Sequence, residues 1–215
     1  TTLDGAAHWI VERARHGVRT RVAFLNAHCV NVMSRDAQYK TALQQSDRIY
    51  ADGSGVMIAA RTAGLTLRDN VNGTDLFPVL CREASAAKVG LYLFGGRKGV
   101  AAEAGYRMVL EDPGLQICGS HHGYLGSSEQ EAQVIASINA SGAGIVLVGL
   151  GVPLQEMWIA RNRQLLEAPV VIGVGGLFDY YSGRIPRAPL AMRKAGCEWL
   201  WRVAQEPGRL ARRYF

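Results

Sequence analysis

Short apolar runs rich in β-branched residues alternate along this chain with stretches whose pattern suits helices. Several of the runs are apolar almost throughout, which is typical of parallel strands buried on both faces. The predicted strands are Val22–Asn26, Arg48–Ala51, Val89–Phe94, Leu115–Cys118, Ile145–Leu150 and Val170–Val174. The predicted helices are 36–46, 54–63, 74–87, 98–110, 128–140 and 154–166, with candidate caps at Asp36, Thr74 and Ser127 or Ser128. This alternation predicts an α/β protein in which helices cover both faces of a mostly parallel sheet.

The alternation stops at about residue 184, where the composition of the chain also changes. Residues 184–215 contain eight basic residues against two acidic ones, so this segment carries the entire net charge of +6. At 215 residues the chain suits one domain with an appendage. We therefore predict a Rossmann-like α/β domain at residues 1–184 and a basic helical appendage at residues 185–215.

A basic appendage attracts anions, and the aromatic residues within it narrow the choice of partner. Trp199, Trp201, Tyr214 and Phe215 lie among the basic residues, and amphipathic rings favour the headgroup zone of a membrane. We therefore expect residues 185–215 to contact a membrane surface. Arginine mixed with aromatics also suits single-stranded nucleic acid, and a solvated terminal helix is a third interpretation.

The rest of the composition indicates a cytosolic protein. Apolar runs such as 144–152 are far shorter than the roughly 20 residues that a membrane-spanning helix needs. No basic start followed by an apolar segment marks a signal peptide. The four cysteines are scattered without a C-x-x-C pair, which favours reduced thiols over a disulfide frame or a zinc site.

Small or polar turns follow nearly every predicted strand. In open α/β sheets ligands bind outside the carboxyl ends of the strands, and glycine-rich turns let backbone amides approach a phosphate. The turns are Asn26–His28, Asp52–Gly55, Gly95–Arg97, Gly149–Gly151 and Gly173–Gly176. None completes G-x-G-x-x-G and no P-loop is present. Several glycine turns at one sheet edge nevertheless predict a nucleotide or nucleotide-sugar ligand.

Acidic and amide side chains at these turns are candidates for chemistry. Asp52 follows a strand directly and could accept a proton from an attacking hydroxyl, or it could cap the next helix. Asp75 suits the first turn of a helix. Gln155 and Glu156 are expected to face the same crevice, and Asp179 either binds ligand or caps a helix.

Metal-binding patterns are weak in this sequence. No D-x-D pair occurs among the aspartates, and the histidines of His28-Cys29 and His121-His122 are in adjacent pairs rather than spaced ligands. We therefore predict no metal cofactor, with phosphate held by backbone amides and arginines. His28 follows the first strand, so it either touches the ligand or is structural.

An ordered series of motifs runs from about residue 20 to the end of the chain. It resembles the WecG/TagA/CpsF family of bacterial glycosyltransferases. The motifs are Phe24-Leu25-Asn26, Ala51-Asp52-Gly53-Ser54-Gly55, Asn72-Gly73-Thr74-Asp75-Leu76, Leu93-Phe94-Gly95-Gly96, Val148 to Glu156, Gly173 to Asp179, Arg187-Ala188-Pro189, Glu198 to Arg202 and Glu206 to Arg209.

The resemblance implies an inverting glycosyltransferase, and together with the absence of a D-x-D pair we expect it to be metal-independent and to need no cofactor. It would move a sugar from a UDP-sugar to a polyprenyl-diphosphate-linked saccharide during cell-surface polysaccharide synthesis. The enzyme would be cytoplasmic and peripheral on the inner face of the bacterial membrane. Asp52 matches the family's catalytic base, Asn26 an active-site asparagine and Gln155-Glu156 a motif near the nucleotide, while residues 184–215 match a membrane-reaching appendage.

The full set of predicted site residues combines both lines of reasoning. Asp52 is the predicted base, and the remaining residues are predicted to bind substrate. They are Asn26, His28, Gly53, Ser54, Asn72, Thr74, Asp75, Gly95, Gly149, Gly151, Gln155, Glu156, Gly175, Asp179, Arg187, Arg193 and Arg202.

The sequence departs from the family pattern at Phe24, Asn70 and Leu154, where many members carry threonine, arginine and lysine; Arg68 could replace the arginine. These departures concern the donor sugar and the phosphate contacts more than the reaction class. The rival functions are a nucleotide-cofactor enzyme such as a Rossmann oxidoreductase, a nucleic-acid-binding module and an inactive membrane scaffold. We expect no nucleic acid partner, and the sequence leaves a homo-oligomer open.

Overall fold

The computed structural model describes residues 2–67, 70–189, 192, 201, 204 and 205. Six strands form one sheet in which every pairing is parallel, in the order β2-β1-β6-β5-β3-β4. The strands are β1 (Thr20–Leu25), β2 (Arg48–Ala51), β3 (Leu91–Gly95), β4 (Ile117–His121), β5 (Ile145–Gly149) and β6 (Val170–Gly173). All six predicted strands are confirmed, and the sheet is fully parallel rather than mostly so.

The described part of the chain contains nine helices, six of which were predicted. They are α1 (Leu3–Arg15), α2 (Ala27–Met33), α3 (Ala37–Gln44), α4 (Ser54–Thr62), α5 (Gly73–Ala86), α6 (Val100–Glu111), α7 (Ser128–Ala140), α8 (Leu154–Asn162) and α9 (Leu177–Tyr181). The sequence reasoning missed α1, α2 and α9. Asp36 and Ser127 cap their helices as predicted, but the cap of α5 is Asn72 rather than Thr74.

Helices cover both faces of the sheet, as predicted. Successive strand residues point to opposite faces, so Leu91 and Leu93 of β3 join the core under α1, α5, α6 and α9. Tyr92 and Phe94 join the core under α7 and α8 on the other face. A smaller apolar cluster under α2 and α3 extends that second face toward β1.

The chain order across the sheet places a crevice over its centre. The connection from β1 leads to β2 at one edge, whereas that from β3 leads to β4 at the opposite edge. In open α/β sheets such a change of direction leaves a crevice at the carboxyl ends of the strands. The crevice here opens above β6 and β5, which occupy the middle of the sheet.

The cysteines fit the expectation of reduced thiols in the described part of the chain. Cys29, Cys81 and Cys118 are all free. Burial raises the pKa of the Cys29 and Cys81 thiols, which keeps them protonated and unreactive near neutral pH. Cys197 lies outside the described residues.

Gly95 is a glycine at which any side chain would meet backbone atoms. It ends β3 with a φ of +144°, and a Cβ there would collide with the backbone of Gly149 at the end of β5.

Gly95→Ala should lower the free energy of unfolding by about 3–5 kcal/mol through strain and clash together. Gly142→Ala is the matched control, because Gly142 has a φ of +64° but open space around it; its cost should be about 1–2 kcal/mol. Equal losses in urea denaturation would refute the close approach of the two strand ends.

Candidate active site

A cleft of about 800 Å³ opens at the carboxyl ends of the strands, within the usual size range of small-molecule sites. It gathers turns that lie far apart in the sequence. The predicted site residues that line it are Asn26, His28, Asp52, Gly53, Ser54, Asn72, Thr74, Asp75, Gly149, Gly151, Gln155, Gly175 and Asp179.

Three of the predicted site residues occupy other positions, and two more lie outside the described residues. Gly95 lies against the backbone of Gly149 instead of lining the cleft. Glu156 is buried, 4% exposed, beside Gln155, and Arg187 reaches the site through its ion pair with Asp75. Arg193 and Arg202 lie outside the described residues.

Asp52 and Asn26 meet because β1 and β2 are neighbouring parallel strands that end at the same edge. The Asp52 backbone amide donates to the Leu25 carbonyl at 2.8 Å. The Asn26 amide nitrogen donates to Asp52 Oδ2 at 3.2 Å. The other end of the Asn26 amide caps α2, accepting from the Cys29 backbone at 3.1 Å. Asn26 therefore orients the Asp52 carboxylate over the cleft.

The turn after Asp52 is held by an interaction across the cleft wall. Gly53 has a φ of +94° and its amide donates to Asn70 Oδ1 at 2.7 Å. Gly53, and not Asp52, is the N-cap residue of α4. Asn70, a departure from the family pattern, has a structural contact here.

Asp75 connects α5 to the start of the C-terminal segment. Asn72 accepts from the Asp75 backbone at 2.8 Å and donates to Asp75 Oδ2 at 2.7 Å. The second carboxylate oxygen of Asp75 accepts from Arg187. Asp75 thus stabilises the beginning of α5, as predicted, and also fixes residue 187 beside the cleft.

Two further contacts hold the same corner. Arg184 donates to Asp179 Oδ1 at 2.7 Å, so the partner of Asp179 in this structure is an arginine of the basic segment. The Tyr181 hydroxyl donates to the Thr74 carbonyl at 2.6 Å. Burial raises the pKa of Tyr181, which keeps this hydroxyl available as a donor. These contacts therefore hold the segment from Arg184 to the buried Ala188 against the cleft.

Gln155 and Glu156 begin α8 in different environments. Gln155 is only 3% exposed, yet it forms part of the cleft wall. Its Oε1 accepts from the Gly175 amide at 2.8 Å, and its Nε2 donates to Glu156 Oε1 at 2.7 Å. Glu156 thereby fixes the orientation of the Gln155 amide, which in turn holds the turn after β6.

The cleft is also lined by residues that were not among the predicted site residues, and three of them could contribute to binding. Arg97 and Arg184 bring cationic side chains to the cleft, and Tyr124 brings an exposed aromatic ring. Arg97 belongs to a glycine turn and Arg184 begins the basic segment. Their places in the sequence could therefore have indicated that both line the cleft. Tyr124 follows β4 without any motif that would have marked it.

Two properties of the described residues concern a metal cofactor and the membrane. Among these residues no three His, Cys, Asp or Glu side chains converge as a metal site would require, and freedom from metal stays a prediction. Within the same residues none of the helices is both long and apolar enough to cross a membrane.

The fold and the cleft together define a class of protein. Glycine turns and arginines at the carboxyl edge of a parallel sheet suit a nucleotide diphosphate, and an oriented carboxylate beside them suits proton transfer. Residues 1–215 match the glycosyl transferase WecG/TagA/CpsF family. The chain belongs to this glycosyltransferase family, which confirms the resemblance seen in its motifs.

Two relatives carry the same enzyme name, N-acetylglucosaminyldiphosphoundecaprenol N-acetyl-beta-D-mannosaminyltransferase. The protein from Bacillus spizizenii strain W23 is 34% identical over 178 residues, covering 83% of this chain and 68% of its own length. The protein from Bacillus subtilis strain 168 is 32% identical over 191 residues, covering 89% of this chain and 73% of its own length. Both names describe transfer of a sugar to a lipid-diphosphate-linked sugar.

Proposed function

We propose that this enzyme transfers a sugar from a UDP-sugar to a saccharide carried on a polyprenyl diphosphate. The two relatives support this acceptor, since their names specify N-acetylglucosaminyl-diphospho-undecaprenol. The same names make N-acetylmannosamine the first donor sugar to try. The reaction would serve cell-surface polysaccharide synthesis on the cytoplasmic face of the bacterial membrane.

The observation that carries the proposal is the Asp52 carboxylate, which lines the cleft and is oriented by Asn26. The acceptor hydroxyl attacks the anomeric carbon of the donor from the face opposite UDP. Its proton passes to Asp52 as the new C–O bond forms, and the bond from the anomeric carbon to UDP breaks. One displacement of this kind inverts the anomeric configuration and releases UDP with its electron pair.

UDP leaves with negative charge, so the site needs groups that stabilise the diphosphate. The glycine turns at 53–55, 149–151 and 173–176 bring backbone amides to the cleft, and Arg97 and Arg184 line it. Arg187 lies close to the cleft because it forms an ion pair with the cleft residue Asp75. Preorganised donors aimed at developing charge are a major source of catalysis. We assign Arg193 and Arg202 to the same task, and the reaction then needs no metal.

The acceptor's lipid anchor gives the basic segment its proposed role. The diphosphate of a polyprenyl carrier lies at the surface of the bilayer, so the cleft must approach that surface. The segment 185–215 carries aromatics and most of the basic residues counted above, and polybasic segments are attracted to anionic leaflets. It would hold the enzyme against the membrane as a peripheral protein.

A panel of UDP-sugars with a short-chain lipid-diphosphate N-acetylglucosamine tests this function. Product masses from mass spectrometry should show one added sugar, with the highest rate for UDP-N-acetylmannosamine. Nicotinamide cofactor titrations in parallel should give no saturable fluorescence change. Absence of both transfer and donor hydrolysis with every sugar would support the inactive scaffold instead.

A further inference from the structure

The chain makes an excursion from the cleft between Asp52 and Asn72. This excursion, residues 54–67, consists of α4 and the segment that follows it. Its base is closed by the 2.7 Å hydrogen bond from the Gly53 amide to Asn70 Oδ1. Residues on both sides of the base, including Asp52 and Asn72, line the cleft. The excursion therefore stands directly beside the proposed reaction site.

The excursion is apolar but adds nothing to the core. Every other helix in the described part of the chain contributes at least one buried residue, whereas α4 contributes none. Ile58 and Leu65 are each 63% exposed and Leu67 is 40% exposed. Isolated exposed apolar residues are normal, whereas three in one short excursion beside a cleft make this excursion a candidate contact surface.

The end of α4 holds one of these side chains in a defined place. The Gly64 amide donates to the Arg61 carbonyl at 3.1 Å, and the Leu65 amide donates to the Ala60 carbonyl at 2.8 Å. With Gly64 at a φ of +74°, these two bonds form a Schellman motif. Leu65 is thus exposed because a regular helix end places it outward, and not because the chain there lacks structure.

Charge and location favour a lipid surface over a protein partner. Residues 53–67 contain no acidic residue, and Arg61 is their one charged side chain. Other exposed apolar residues stand at the same end of the sheet: Tyr124 and Leu154, which are 70% and 63% exposed, also line the cleft. Apolar side chains that have a cation among them, in a segment without acidic residues, suit the boundary between headgroups and acyl chains.

We propose that residues 54–67 insert their apolar side chains into an anionic bilayer beside the cleft mouth. The inference rests on the proposed function for its purpose. A polyprenyl chain stays in the membrane while its diphosphate-linked sugar reaches Asp52, so the residues next to Asp52 must approach the bilayer. The excursion would then be a second membrane contact within the α/β domain, in addition to the segment 185–215.

The test compares two triple variants of the full chain. Ile58→Gln, Leu65→Gln and Leu67→Gln together remove the apolar surface of the excursion. Tyr106→Gln, Leu110→Gln and Leu165→Gln form the matched control, since these residues are 58–63% exposed and none lines the cleft. Binding is measured by sedimentation with phosphatidylethanolamine–phosphatidylglycerol vesicles, and folding by circular dichroism. Transfer is measured with a short-chain acceptor in solution and with the polyprenyl acceptor in vesicles.

The excursion variant should bind the vesicles about tenfold or more weakly, because burial of three large apolar side chains is lost. The control should stay within about twofold of the parent. Transfer to the short-chain acceptor should be retained while transfer in vesicles falls. Unchanged vesicle binding, or an equal loss in the control, would overturn the proposal. So would light scattering that shows a dimer dissociating in the excursion variant alone, since a second copy would then cover this surface.

The two proposals fail in distinguishable ways. If the parent protein transfers sugar to neither acceptor, the proposed function fails, whereas the vesicle comparison still decides the membrane contact. If the triple variant loses its helical signal, Ile58→Glu alone makes the same test, because a carboxylate at this exposed position opposes insertion among anionic lipids. Vesicle binding of Ile58→Glu equal to that of the parent would likewise overturn the proposal.

Discussion

Asp52→Asn should lower kcat by about 10²–10⁴-fold, the range expected when a general base is removed. The amide cannot take the proton of the acceptor hydroxyl, but its oxygen can still accept the hydrogen bond from Asn26. The shape of the cleft is therefore kept. UDP affinity should change little, because UDP leaves from the face of the sugar opposite the base. Steady-state kinetics together with calorimetric titration of UDP separate the two effects.

Asp47→Asn is the matched control for that variant. Asp47 is an exposed aspartate just before β2, and its carboxylate accepts from the Arg21 backbone at 2.7 Å. It lies at the amino end of the strand whose carboxyl end leads to Asp52. The kcat of Asp47→Asn should equal that of the parent. Full activity in Asp52→Asn would remove Asp52 from the role of base.

A chain that ends at residue 184 should lose at least about 99% of its transfer activity. This truncation removes the Arg187 partner of Asp75, the buried Ala188 and every basic residue beyond Arg184. In contrast to Asp52→Asn, we expect weaker UDP binding as well, since cations that stabilise the departing diphosphate are lost. Binding to anionic vesicles should weaken in sedimentation assays.

Arg187→Gln in the full chain separates the ion pair from the rest of the segment. It should weaken UDP binding while leaving vesicle sedimentation at the parent level, because the remaining basic residues are intact. If the truncated chain transferred sugar at the parental rate, the segment 185–215 would have no part in the reaction. Parental vesicle binding by the truncated chain would refute its membrane role.

The sheet could be predicted because buried parallel strands have a strong local signal. Of the three helices that were not predicted, α2 and α9 have weaker local signals, whereas α1 has a clear one. α1 does carry apolar residues at helical spacing and a Thr2 cap, so its pattern was available. α2 buries only Cys29 and follows a strand directly, which made its Asn26 cap resemble a simple turn. α9 has five residues, too few to show a helical period.

The position of the cleft could also be predicted, because parallel strands bring their carboxyl ends to one edge. Its side-chain partners could not. Arg187 pairs with Asp75, which lies 112 positions away in the sequence. Asn70, one of the departures from the family pattern, accepts a hydrogen bond from the Gly53 amide. Such contacts depend on how separate turns pack. The burial of Glu156 behind Gln155 depends on the same packing, so its supporting position emerged only from the structure.

The configuration of the new glycosidic bond tests the central mechanism most directly. Proton NMR of the purified product, compared with the donor, reports whether the anomeric centre has inverted. A single displacement assisted by Asp52 predicts inversion, with the same product from enzyme treated with a chelator. Retention of configuration would require a mechanism other than one direct displacement and would contradict the role assigned to this carboxylate.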